Sequence, residues 1–195
     1  MDKIVLASNN KHKIKEFKEI LTEYEIVTMQ EVGFIDEIEE NGSTFFENAM
    51  IKAKAVMDYL KSKGEVYPVI ADDSGMCVTA LNGAPGIYSA RYSGDHDFAS
   101  NRRKVLDELN SIEDRTAYFN CTLVMLYPNG EYKTVDGRVY GVITTEEVGD
   151  TSFGYDCMFL TGELRKTFGE ATAEEKNLVS HRGRAIQKLK KLLNE

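Results

Sequence analysis

Cysteine is scarce in this chain, and the few residues present stand apart. Cys77, Cys121 and Cys157 form no CxxC pair, which removes zinc ribbons and thiol redox motifs from the readings. An odd number of isolated thiols also argues against a disulfide framework and for a reducing, cytoplasmic setting. Long apolar runs are missing too: no stretch approaches the roughly 18 residues a membrane span needs. The opening MDKIVLAS is too short and too quickly polar to be a signal h-region. Positive charge is in deficit, with 24 Lys and Arg against 32 Asp and Glu and a formal net charge of -8. Nucleic acids and anionic membranes are bound by clustered Lys and Arg, so neither is an expected partner. A small anionic ligand stays open, because a bound divalent cation inverts the local sign of an acidic site. Repeats, low-complexity tracts and linkers are absent as well. The 195 residues, 42% hydrophobic and 29% charged, therefore read as a single compact domain over 1–195 with room for two lobes.

What is present alternates between apolar runs and helical patterns. Lys3 to Ser8 suits a buried strand; the polar SNNKHK follows, then a helix on Ile14, Phe17, Ile20, Leu21 and Tyr24. A strand, polar loop and helix offer backbone N–H groups and the positive end of a helix dipole to a phosphate, with Ser8, Asn10 and Lys13 adding a hydroxyl, an amide and a cation. The glycines and Lys-Ser/Thr pair of a P-loop are not there. Glu25 to Met29 reads as a second strand and the acidic stretch after it as irregular. Thr44 and Glu47 have capping-box spacing before a long helix on Phe46, Ala49, Ala53, Val56, Met57 and Leu60. Asn48 and Lys52, four apart, share a stripe placed away from that apolar face.

The central stretch runs from Val69 to Gly94. An apolar run ending at Ala71 meets Asp72, Asp73, Ser74 and Gly75. Carboxylates at a strand end can hold a hard cation and orient a water; the plainer reading is a polar turn. Residues 82–86 form a turn cluster, and Asp97 to Asn110 a helix. Thr116 to Tyr127 and Glu131 to Thr145 read as strands joined by the turn Pro128-Asn129-Gly130, an antiparallel projection. Gly149 to Asp156 is a loop carrying FGYD. Thr172 and Glu175 form another capping box, and Ser180 caps a last helix on Ala185, Ile186, Leu189, Leu192 and Leu193.

The polar clusters are chemically complementary. Glu40, Asp72 and Asp73 suit magnesium, and Lys13, Lys52 and the loop amides suit phosphates. Phe153 and Tyr155 offer a stacking face, while Asp156, His181 and Arg182 supply directional donors and acceptors. Cys77 and Cys121, in apolar runs, read as buried packing residues rather than catalysts.

Six ordered motifs span nearly the whole chain: S-x-N-x-x-K at 8–13, T-F-x-E-N-A-x-x-K-A at 44–53, A-D-D-S-G at 71–75, G-A-P-G-I-Y-S-A-R-Y at 83–92, F-G-Y-D at 153–156 and E-K-x-x-x-S-H-R-G at 175–183. In these the chain resembles the Ham1 family of inosine and xanthosine triphosphate pyrophosphatases. The resemblance implies an α/β fold with a long twisted mixed sheet flanked by helices, two lobes with the active site in the cleft between them (Ham1/Maf-like), and a homodimer. It implies Mg²⁺-dependent hydrolysis of ITP, dITP or XTP to the monophosphate and pyrophosphate. Asp73, Asp72 and Lys13 match catalytic positions, and Glu40 and Asp73 match metal-binding ones. Ser8, Asn9, Asn10, Lys11, His12, Lys13, Lys52, Ser74, Phe153, Gly154, Tyr155, Asp156, Lys176, His181 and Arg182 match substrate-binding positions. One departure is Cys157, where proline is common after FGYD. Two rivals remain in view. The SHR and FGYD motifs speak against a Maf-like pyrophosphatase of pyrimidine or modified nucleotides. The site carboxylates speak against a nucleotide-binding sensor that does not turn over.

Overall fold

A computed structural model describes residues 2–94 and 96–194. Its elements follow the chain as β1 (Lys3–Leu6), α1 (Lys11–Ile20), β2 (Glu25–Thr28), α2 (Phe45–Ser62), β3 (Val69–Val78), α3 (Phe98–Glu108), β4 (Thr116–Leu126), β5 (Tyr132–Ile143), β6 (Phe159–Thr161), β7 (Lys166–Thr167), α4 (Ala173–Val179) and α5 (His181–Leu193). The seven strands form one mixed sheet in the order β2-β1-β3-β4-β5-β6-β7. Beta1 pairs in parallel with β2, Lys3 opposite Glu25, and with β3, Leu6 opposite Ile70. Beta6 is antiparallel to β5 and to β7. The expected hairpin of β4 and β5 is present, but it lies inside the sheet order rather than forming a projection.

Two compact units share these strands. The first comprises residues 1–73, 121–137 and 185–195; the second comprises 74–120 and 138–184. In the first, strand alternation sorts the core onto two sheet faces. Ile4 and Leu6 of β1, Ile70 of β3 and Cys121, Leu123 and Met125 of β4 pack with Phe17, Ile20 and Leu21 of the α1 region and Ala185, Ile186 and Leu189 of α5. Val5, Ala7, Val69, Ala71, Val124 and Leu126 pack on Ala49, Ala53, Val56, Met57 and Leu60 of α2. This is the helix, sheet, helix layering expected when strands are buried on both faces. The core of the second unit joins Met76 and Val78 of β3 to Val105 of α3 and Leu109 just after it, Phe119 of β4, Val139 and Ile143 of β5, and Tyr155, Phe159 and Phe168. Among the described residues no helix is long and apolar enough to cross a membrane.

Beta3 departs from the sequence reading. DDSG is neither a strand end nor a turn: the strand runs through it from Val69 to Val78. Gly75 is needed for close approach instead of for turning, since a Cβ there would lie 2.1 Å from the Gly86 carbonyl oxygen and 2.7 Å from Ser89 Oγ.

Candidate active site

In the first unit the chain leaves β1 toward β2 on one side and returns through α2 to β3 on the other, so strand order reverses between β1 and β3. Open α/β sheets bind ligands at the carboxyl ends of strands flanking such a reversal. The polar residues collect there. Beta1 ends at Leu6 opposite Ile70, which sets Ser8 and Asp72 each two residues further on.

Alternation along β3 explains why two consecutive acids are useful. Asp72 shares the face of Ile70, which packs toward α1, and its Oδ2 lies 2.8 Å from Lys13 Nζ. Asp73 shares the face of Ala71, which packs toward α2, and its Oδ2 accepts a 3.0 Å hydrogen bond from Asn48 Nδ2. Lys52 Nζ lies 3.8 Å from Asp73 Oδ1 and 2.9 Å from Glu40 Oε2. One lysine therefore links the strand acid to a glutamate of the loop before α2. Asp72, Asp73, Asn48 and Lys52 are all buried.

This geometry revises the stripe on α2. Asn48 and Lys52 do not face solvent; they are buried at the margin of the apolar face of the helix. Asn48 is a site residue that the sequence reading left out, although its four-residue spacing from Lys52 was the signal. Its Oδ1 also accepts from the Gly42 N–H at 2.8 Å, which ties the acidic loop to the helix. Thr44 caps α2 by accepting from Glu47 N, while the Glu47 carboxylate reaches Ser43 instead of completing the expected box.

The loop after β1 is less open than expected. Asn10 caps α1, its Oδ1 accepting from the His12 and Lys13 N–H groups at 3.0 and 3.2 Å, and Ser8 Oγ accepts from Asn10 N at 3.2 Å. Two first-turn donors are thus already engaged. Asn9, Lys11 and His12 are exposed there.

The electrostatics are those of crowded acids. Burial is the main cause that lifts the Asp73 carboxyl above its ordinary range, aided by Glu40 and opposed by Lys52, Asn48 and Lys13. Burial alone would lower Lys52, but the charges of Asp72, Asp73 and Glu40 outweigh it and hold the ammonium above its ordinary range. In these contacts three carboxylates meet two ammonium groups. The donors are all hard oxygens. Among the described residues no group of three or more His, Cys, Asp or Glu side chains is gathered closely enough to hold an ion by itself.

The second unit carries the other predicted residues. Ser74, half-buried, continues β3. Phe153 is half-buried with its ring edge-on to Phe98 at 5.7 Å, and Lys176 Nζ stands 5.3 Å over its centre. Lys176 is also ion-paired with Asp156. Tyr155 corrects the expectation of a two-ring stacking face: it belongs to the core, its hydroxyl donates to the Ser89 carbonyl at 2.7 Å, and burial raises its pKa. His181 and Arg182 open α5 and are buried, the His181 ring stacked on Phe119 at 4.7 Å. The full capping box at Thr172 and Glu175 is formed, and Ser180 Oγ accepts from Gly183 N at 3.0 Å. Cys157, fully buried with its thiol pushed up to about 11 chiefly by burial, sits in a short turn whose carbonyl accepts from Val148 N at 2.7 Å. Cys77 and Cys121 are likewise buried.

Known proteins resemble this arrangement over its whole length. The Ham1 family model matches residues 4–192. A dITP/XTP pyrophosphatase of Clostridium perfringens is 48% identical over 196 residues, covering 97% of this chain and 96% of that protein. A dITP/XTP pyrophosphatase of Bacillus subtilis is 48% identical over 198 residues, covering 99% and 98%. The solved structure of the Staphylococcus aureus Ham1 protein superposes with a TM-score of 0.89 at 42% identity, covering 99% of this chain and 98% of that one. With a family model matched from the first strand to the last helix, and relatives close to half identical over nearly every residue, this chain belongs to the Ham1 family.

Proposed function

We propose that this protein hydrolyses non-standard purine nucleoside triphosphates, dITP, ITP and XTP, to the monophosphate and pyrophosphate. The observation that carries the reading is the pair Asp72 and Asp73 on opposite faces of β3, each facing a lysine at the β1–β3 reversal. Two close relatives bear the name dITP/XTP pyrophosphatase.

The donor set of Glu40 and Asp73 fits Mg²⁺, which is usually held by one or two carboxylates and completes its shell with substrate phosphate and water. When bound there, the ion supplies neutralisation of phosphate charge and acidifies a coordinated water. Lys13 and Lys52 add fixed positive charge for the phosphates, with Lys13 held by Asp72 and Lys52 by Glu40. Asp73 takes the proton of the attacking water, and burial, by raising its pKa, makes it a stronger base than an exposed aspartate. Asn48 fixes which oxygen of Asp73 faces that water by occupying Oδ2. Most of the rate enhancement is then positioning and charge stabilisation, as is general for phosphoryl chemistry.

Phe153 stacks on the base, and Asp156, Lys176, His181 and Arg182 read its edge. A 6-oxo group accepts where the 6-amino group of adenine donates, so donors at that edge favour hypoxanthine and xanthine. We also take the working enzyme to be a cytoplasmic homodimer. The test is release of pyrophosphate from ATP, GTP, ITP, XTP, dITP and the pyrimidine triphosphates, with and without Mg²⁺. Fast, Mg²⁺-dependent release from dITP, ITP and XTP is expected. Preference for pyrimidines, release of orthophosphate, or binding without turnover would each overturn the reading.

A further inference from the structure

We propose that Arg102 of α3 is a positioning residue for base recognition, acting through the segment 147–154. This rests on the reading that Phe153 stacks on the base. The Arg102 side chain is almost fully buried, yet it is spent on a loop rather than on the core. Its Nε donates to Glu147 Oε1 at 2.8 Å, and its Nη1 donates to the Thr151 carbonyl at 3.3 Å and the Gly154 carbonyl at 2.9 Å. The two carbonyls lie on either side of Phe153 in the chain, so one planar guanidinium brackets the residue that carries the ring. Gly154 stands at φ +52°, a left-handed conformation that glycine adopts without steric penalty. Phe98 lies four residues before Arg102 on α3, hence on the same face of the helix, and its ring meets Phe153 edge-on at 5.7 Å. Alpha3 thus grips the loop twice, by backbone from Arg102 and by ring from Phe98. A recognition group left loose by even 1 Å loses much of its effect.

Lysine cannot replace this grip. A single ammonium can pair with Glu147 but does not present the rigid Nε and Nη1 edge that holds Glu147 with one nitrogen and the Thr151 and Gly154 carbonyls with the other. The test uses the full-length enzyme with Arg102→Ala, Arg102→Lys and Phe153→Ala. It reads kcat and KM on dITP, XTP and dGTP, and backbone hydrogen exchange over residues 149–157 and over β4. For both Arg102 variants the expected result is a KM for dITP and XTP raised roughly tenfold, the scale of losing charge-assisted hydrogen bonds. With it go kcat within about threefold of the parent, a narrowed preference over dGTP, and faster exchange confined to 149–157. Phe153→Ala should raise KM in the same way. The positioning role is overturned by an unchanged KM in Arg102→Ala despite a loosened loop, by a fall in kcat alone for every substrate, by faster exchange throughout β4, or by full rescue with lysine. If Phe153→Ala leaves KM and preference unaltered, it is the base-stacking reading that fails; a defect in Phe153→Ala with silent Arg102 variants fails the positioning role alone.

Discussion

At the scale of single residues, the chemistry costs stability. Asp73 is a buried carboxylate whose pKa the fold raises, chiefly by burial. In the metal-free protein the folded state therefore takes up this proton more readily than the unfolded chain, whose aspartates titrate near their ordinary value of about 3.9. Below that value both states are protonated and no cost arises. As pH climbs through the raised folded value the cost of keeping a buried charge grows, and above it the cost is complete. Asp73→Asn removes the charge while its amide oxygen can still accept from Asn48. We expect the metal-free variant to melt higher than the parent at pH 8, with the difference vanishing toward pH 4, as read by thermal scans across that range. The same variant should lose about 10²- to 10⁴-fold in kcat, the usual worth of a positioned general base. A variant that turns over at the parental rate would remove Asp73 from the chemistry. Cys157, standing where proline is common, is buried, and its carbonyl accepts from Val148 N, a bond that a proline there would also make.

At the scale of elements, β3 shows where sequence reasoning stops. Strands and helices with clear periodicity were legible: β1, α1, α2, the β4–β5 hairpin and α5 all lie where apolar spacing and caps put them. DDSG was not, because Asp, Ser and Gly favour turns locally, and the pairing of β3 within the sheet overrides that preference. Local pattern could pair the acids but could not say that they face opposite layers, which follows only once the strand is known to continue. Asn48 was missed for a related reason, since a polar residue beside an apolar stripe reads as solvated until the strand it touches is placed. Gly75 offers the test of β3. A methyl group at this position would sit 2.1 Å from the Gly86 carbonyl oxygen, with backbone on both sides of the contact. Gly75→Ala must push the 86–89 segment off the strand and disturb Ser89, whose Oγ accepts from Met76 N at 2.9 Å. A loss of about 1–3 kcal/mol is expected, as for other overpacked sites, measurable by denaturant titration. Parental stability would mean that the two backbones do not approach this closely.

At the scale of the whole molecule, the six motifs made the family legible before any geometry, because they recur in order over almost the full length of the chain. Assembly was not legible in that way, since an interface needs only a surface. One sheet face of the second unit provides such a surface. Tyr140 is 63% exposed and Val142 39%, and Tyr118 packs on Tyr140 at 5.7 Å with Arg138 over its ring. Aromatic residues and arginine on one open face are what interface centres are enriched in. A twofold assembly would bury the same patch on both copies. We expect sedimentation to give a dimer of this 22.0 kDa chain, and Tyr140→Asp to shift it to the monomer with no change in melting behaviour beyond that of dissociation. The substitution sets a charge opposite its own copy across the axis, where repulsion and desolvation add. A parent that sediments as a monomer at working concentration would remove the dimer. A dimer untouched by Tyr140→Asp would place the contact on another face.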